Sequence, residues 1–146
     1  MASIGYHSSQ FLTEMRMNKL GLSHVPSKSA ETLLSPAFLA AWLEDARAEA
    51  LDGLASIAAR APLVVVTPPQ FEENPLLHAL NNALSQLIRD RGLPLYDPNT
   101  DLADKSGTLP AKFAHEDGKH GNEAFGHAIF KTLLRQKLIT KPPAQK

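Results

Sequence analysis

At 146 residues, 43% of them hydrophobic and 21% charged, the chain has the size and composition of one globular domain able to bury a core without cross-links. Fifteen Lys and Arg balance fifteen Asp and Glu, so its field is too weak to wrap nucleic acid or to steer it to a membrane, and neither is an expected partner. With no cysteine present, disulfides, zinc–thiolate centres and thiol nucleophiles are excluded.

The first ten residues, MASIGYHSSQ, lack the basic start and long apolar stretch of a signal peptide. No apolar run is long enough to span a bilayer. The cytoplasm is therefore the default address, with export left open if residues precede Met1. A short strand is expected over residues 2–4, and residues 22–34 read as irregular.

The first helix is announced by Ser35 and Pro36, a capping hydroxyl followed by proline at the first helical position. Leu39, Leu43, Ala46, Ala50, Leu54 and Ile57 recur at helical spacing, widened by Phe38, Trp42 and Leu51, and Trp42 reads as core. Leu63, Val64, Val65 and Val66 form an apolar run rich in β-branched residues, the pattern of a strand buried on both faces of a parallel sheet. Thr67, Pro68 and Pro69 end it and shape a loop. Asn74 and Pro75 open a second helix striped by Leu76, Leu77, Leu80, Leu84, Leu87 and Ile88, with Gly92 as its left-handed stop. A further strand is expected over 93–96. Residues 99–119 read as irregular, and a loop that long in a small domain points to a functional or ligand-covering segment. The last helix starts near Asn122, and Phe125, Ile129, Leu133 and Leu134 line one of its faces. Lys131, Arg135 and Lys137 gather toward its C-terminal end. One α/β domain over 1–139 with a flexible tail over 140–146 is the expectation.

Strands alternating with helices predict a layered parallel α/β sheet. Chemistry in such sheets sits at the C-terminal strand ends, here Gly5-Tyr6-His7, Thr67-Pro68-Pro69 and Asp97-Pro98-Asn99.

The stretch richest in chemistry runs from His115 to His127, just ahead of the last helix. Asp117 and His120 lie three residues apart across Gly118. In a tight turn the carboxylate reaches the imidazole Nδ1–H and leaves the other ring nitrogen free to take a proton from a hydroxyl. That is the orienter–base half of a Ser-His-Asp triad. Gly118 and Gly121 permit the close backbone approach such a turn needs.

The segment Asp117-Gly118-Lys119-His120-Gly121-Asn122, followed by Phe125-Gly126, resembles the final block of the SGNH (GDSL-type) hydrolases. In that block an Asp-x-x-His motif precedes Asn and an aromatic–Gly pair entering the C-terminal helix. The buried strand ending at Thr67-Pro68-Pro69 and the short strand ending at Leu95-Tyr96-Asp97 fit the same order, so the resemblance runs from about Leu63 onward. It implies an α/β three-layer sandwich with a small parallel sheet, flavodoxin-like in plan and truncated at its N-terminus. It also implies His120 as general base, Asp117 as its orienter, and no metal or organic cofactor. The implied substrate is a carboxyl ester or an acetylated sugar.

The family's Gly-Asp-Ser nucleophile motif does not occur in the chain. Gly5, His7 and Ser8 occupy the place of the family's second oxyanion motif, with His7 where Asn is expected. A second alignment makes Ser8 or Ser9 the nucleophile. The expectation is thus an incomplete or inactive ester hydrolase. The competing class is a non-catalytic α/β domain that keeps the fold and binds a ligand or partner. A missing strand would bare a sheet edge, which a homodimer would cover.

Plainer readings stand beside these. Asp117 and His120 can be a polar helix entry, and Asn122 a simple N-cap. His115 reads as a solvated loop residue and His127 as helix surface, while His24 and His78 carry no signal. His115, Glu116, Asp117 and His120 together have the chemistry of a zinc or manganese site, although their spacing matches no known metal motif.

Overall fold

The computed structural model of the chain describes residues 2–3, 35–105 and 107–140. Gly5, His7, Ser8 and Ser9, the region 22–34 and the tail beyond Thr140 lie outside the described residues. The elements run β1 (Ala2–Ser3), α1 (Pro36–Ala58), β2 (Val65–Val66), α2 (Pro75–Asp90), β3 (Leu95–Tyr96), a one-turn α3 (Pro98–Asp101), a 3₁₀ turn (Ala111–Phe113) and α4 (Glu123–Arg135). The protein is thus a mixed α/β fold, mostly helical. Its small sheet is parallel in the order β1-β2-β3, with Ala2 paired to Val65 and Val65 to Leu95.

The three long helices begin where their capping residues stand. The Ser35 hydroxyl accepts from Phe38 N–H, Asn74 Oδ1 from Leu76 and Leu77 N–H, and Asn122 Oδ1 from Phe125 N–H. Each satisfies amides that have no partner inside the helix. At the end of α2, Gly92 adopts φ +66°. Gly92 N–H donates to Arg89 O and Leu93 N–H to Ile88 O, the paired bonds of a Schellman motif. The same pair recurs at the end of α4, with Lys137 N–H to Leu134 O and Leu138 N–H to Leu133 O, although Lys137 holds φ +58° without being glycine.

Two apolar clusters meet at β2. Val65 packs with Leu39, Leu43 and Leu51 of α1 and with Leu80, Leu84 and Ile88 of α2. Its neighbours Val64 and Val66 pack with Tyr96, Leu109 and Phe125, Ile129 and Leu133 of α4. Successive side chains of a strand point to opposite faces, so α1 and α2 cover one face of the sheet and α4 the other. That is why this segment reads as an unbroken apolar run rather than an alternation. Arg91, just past α2, fastens α1 to α2: its guanidinium reaches Glu44 at 2.6 Å and Asp52 at 2.9 Å.

Several expectations need correction. The buried stripe of α1 is narrower than its periodicity suggested: Leu39, Leu43 and Leu51 are buried, but Ala46 and Ala50 are exposed, as are Phe38 and Ile57. A 23-residue helix outruns a sheet whose strands are only two residues long, so its outer positions have no sheet to cover. The strands occupy only the ends of the expected 63–66 and 93–96 spans. The segment 99–119 is not structureless either. It carries the end of α3 and the 3₁₀ turn, and Leu109 N–H is anchored on Gln70 O. Among the described residues no helix is long and apolar enough to cross a membrane.

Candidate active site

The loop between the 3₁₀ turn and α4 is a ladder of short rungs. Asn122 N–H donates to Phe113 O, Ala114 and Gly121 form an antiparallel bridge, and His115 N–H donates to His120 O at 2.7 Å. Inside the closed end, Gly118 turns the chain at φ +67° and its N–H returns to His115 O. The turn brings Asp117 back over its own backbone. Asp117 Oδ1 accepts from Lys119 N–H at 2.8 Å and from His120 N–H at 2.9 Å. Its other oxygen, Oδ2, lies 2.5 Å from His120 Nδ1.

The sequence-predicted pair is therefore in contact, and in the orientation a base–orienter pair needs. With the carboxylate ionised, Nδ1 carries the proton and donates it, so Nε2 is the lone-pair nitrogen. Both oxygens of Asp117 are engaged, one by backbone and one by imidazole, which fixes the carboxylate plane. The His120 side chain is 71% exposed, leaving Nε2 open to an incoming group. The His120 ring first, then the His120 and Lys119 amides, hold the Asp117 carboxyl well below the usual carboxylate range.

That shift carries a prediction of definite sign. The Asp117 carboxyl carbon should titrate, by NMR, below the ordinary aspartate midpoint of about 3.9. His120→Ala should move the midpoint upward without fully restoring it, because the two amide donors remain. A depressed carboxylate contributes to stability above its unfolded pKa, so the loop should hold above about pH 4 and loosen as pH falls through the folded value. An unchanged midpoint in His120→Ala would contradict the assignment.

The surrounding histidines behave more plainly. His115 is exposed and its Nδ1 stands 3.9 Å from Asp117 Oδ2; His127 is exposed on α4, with Nε2 3.9 Å from Glu123 Oε1. Among the described residues no group of three or more His, Asp or Glu converges as a metal site, so the His115, Glu116, Asp117 and His120 set is not gathered around one point.

The loop is tied to the sheet by aromatic packing. Phe125, buried in the first turn of α4, meets Phe113 and Phe71 with ring centroids 6.0 Å away in each case. Phe71 lies in the connection leaving the C-terminal end of β2, so the dyad loop is bound to the strand-tip side of the domain. Gly121 sits directly under this ring: a Cβ there would stand 2.0 Å from Phe125 Cδ1.

Sequence reasoning placed Thr67 and Asp97 to Asn99 at the strand tips but missed that they form one polar network with Asn81. Asp97, next after β3, accepts through Oδ1 from the Thr67 hydroxyl at 2.7 Å and from Asn99 N–H and Nδ2, and through Oδ2 from Asn81 Nδ2 at 3.0 Å. Asn99 in turn accepts from Gln70 N–H and donates to Pro68 O. Thr67, Gln70 and Asn81 are buried. Thr67 and Pro68 thus do more than shape a loop: they are cross-linked to β3 through one carboxylate. The available signal was Asn81, a polar residue at helical spacing from Leu77 and Leu84 within an otherwise apolar stripe.

No protein-family model, no curated protein and no solved structure matches the chain.

Proposed function

We propose that this chain carries the base–orienter half of an ester-hydrolysing site of the SGNH/GDSL kind, with His120 as general base and Asp117 as its orienter. The observation that carries the reading is the 2.5 Å contact between His120 Nδ1 and a carboxylate whose other oxygen is clamped by two backbone amides. In the proposed reaction, Nε2 takes the proton of a hydroxyl as its oxygen attacks the ester carbonyl. Asp117 steadies the imidazolium, and the proton passes to the departing alkoxide. Water then releases the acyl group by the same route. The substrate class is a carboxyl ester or an acetylated sugar, and the chemistry calls for no metal or organic cofactor.

The plan of the fold supports this reading. Strands in consecutive parallel order, with α1 and α2 on one face and α4 on the other, are what the later half of a flavodoxin-like sheet of order 2-1-3-4-5 would present. We therefore propose a three-layer sandwich of that type, of which this chain forms the C-terminal portion. Gly-Asp-Ser is absent from the 146 residues, and among the described residues no serine is hydrogen-bonded to His120. The nucleophile is thus assigned to residues outside the 146 of this chain. That absence also favours a second reading, a non-catalytic α/β domain binding a ligand or partner and pairing its sheet edge in a homodimer.

Hydrolysis of p-nitrophenyl acetate and of an acetylated sugar by the purified chain tests both readings. A triad acts as a unit and loses on the order of 10⁴ or more in turnover without its nucleophile, so the expected rate is low. With His120 acting as general base on water in place of a serine, that low rate should still fall about tenfold in His120→Ala and in Asp117→Asn. Both side chains lie at the surface, His120 71% and Asp117 43% exposed, so neither change should unfold the protein. Rates untouched by either substitution would sink the esterase reading in favour of the binding domain. Rapid turnover abolished by Ser8→Ala would instead overturn the missing nucleophile. Size-exclusion chromatography separates a monomer from an edge-paired dimer.

A further inference from the structure

We infer that Asn122 is a positioning residue for His120, acting through a strap distinct from its role as helix cap. The inference rests on the reading of His120 as the base. Asn122 makes two kinds of side-chain bond. Its Oδ1 accepts from Phe125 N–H at 3.1 Å, which is ordinary N-capping of α4. Its Nδ2 donates to Lys112 O at 2.8 Å and to Ala114 O at 3.0 Å, which capping does not require. Those two carbonyls flank Phe113, whose own carbonyl accepts from Asn122 N–H. One asparagine therefore engages three successive carbonyls on the outgoing arm of the dyad loop and fixes them to the first turn of α4.

Everything beyond that strap depends on the spacing of the two arms. The Ala114–Gly121 bridge and the His115–His120 rung follow it in order, and the Asp117–His120 contact closes the end. Asp117 belongs to the outgoing side of the loop and His120 to the returning side, so a change in the gap between the arms appears directly in the distance between carboxylate and imidazole. Serine, threonine and aspartate can all cap a helix, but none has an amide to donate. Asparagine alone among the common capping side chains performs both tasks here.

The test separates the two. Asn122→Ser and Asn122→Asp each keep an acceptor for Phe125 N–H and each remove the Nδ2 donors. In both, α4 should stay folded, as judged by amide exchange at residues 125–133. The Asp117 titration midpoint should rise toward the value in His120→Ala, and the hydrogen-bonded Nδ1–H signal of His120 should weaken. His120-dependent ester hydrolysis should fall about tenfold, as displacement of a positioned group does. If the midpoint and the Nδ1–H signal match wild type in both variants, the strap has no positioning role and the inference is wrong. If both move while His120→Ala leaves ester hydrolysis untouched, the positioning role is upheld and the esterase reading is the part that falls.

Discussion

Asp97→Ala should lower the melting temperature of the protein by roughly 10 °C, the largest loss expected from any single side chain outside the apolar core. The reason is the company Asp97 keeps. Its carboxylate accepts from the hydroxyl of Thr67, which is 1% exposed, and from the amide of Asn81, which is 3% exposed. Deleting the acceptor removes this bond from two buried donors, and leaving the buried Thr67 hydroxyl without its acceptor costs about 1–3 kcal/mol. Asn99 loses two further bonds to the same oxygen. It is then less well placed to hold Gln70 N–H and Pro68 O, so the connection leaving β2 loosens from β3. Asp97→Asn should fall between wild type and alanine, since its one carbonyl oxygen can satisfy only one side while its amide faces another donor. Thermal unfolding followed by circular dichroism checks the order wild type, asparagine, alanine. Coincident curves would show that the network does not hold the strand tips together.

Gly121→Ala and Gly126→Ala should act with opposite sign although only five positions separate them. A methyl on Gly121 would sit 2.0 Å from Cδ1 of Phe125 and 2.8 Å from its Cγ and Cε1. The ring has little room to yield, because it is 7% exposed and packed between Phe71 and Phe113. Overpacking of this kind costs about 1–3 kcal/mol. The displacement falls on the residue next to His120, so the Nδ1–H signal should weaken along with stability. Gly126 has nothing within 4 Å of the corresponding position and lies on the exposed side of α4. Alanine there should stabilise by up to about 1 kcal/mol through helix propensity alone. Urea unfolding of both variants measures the contrast. Equal effects of the same sign would mean that the Phe125 ring does not cover Gly121.

That Asp117 and His120 can pair was legible, because their separation and the glycine between them bring the two within one turn of chain; the Asn122 strap that sets the spacing of the loop's arms was not. The helix caps at Ser35, Asn74 and Asn122 were legible for the same reason: a cap bonds to amides two or three residues on. Legible too was the double-sided burial of β2, since an apolar run with no polar alternation leaves neither face for water. What could not be read was whatever depends on residues far apart in the chain. Asp97 meets Thr67 from 30 positions away and Asn81 from 16, and nothing near Asp97 in sequence marks it as a shared acceptor. Phe71 reaches Phe125 only because the connection after β2 and the first turn of α4 fold onto the same side of the sheet. The true width of the buried stripe on α1 was equally hidden, because periodicity shows which residues share a face but not how much neighbouring structure exists to cover it. By itself, then, the sequence determined short-range geometry, which chain stiffness and local hydrogen bonding dictate. Tertiary structure decided which polar groups meet in the interior, because a buried donor takes whatever acceptor the packing of distant elements brings to it.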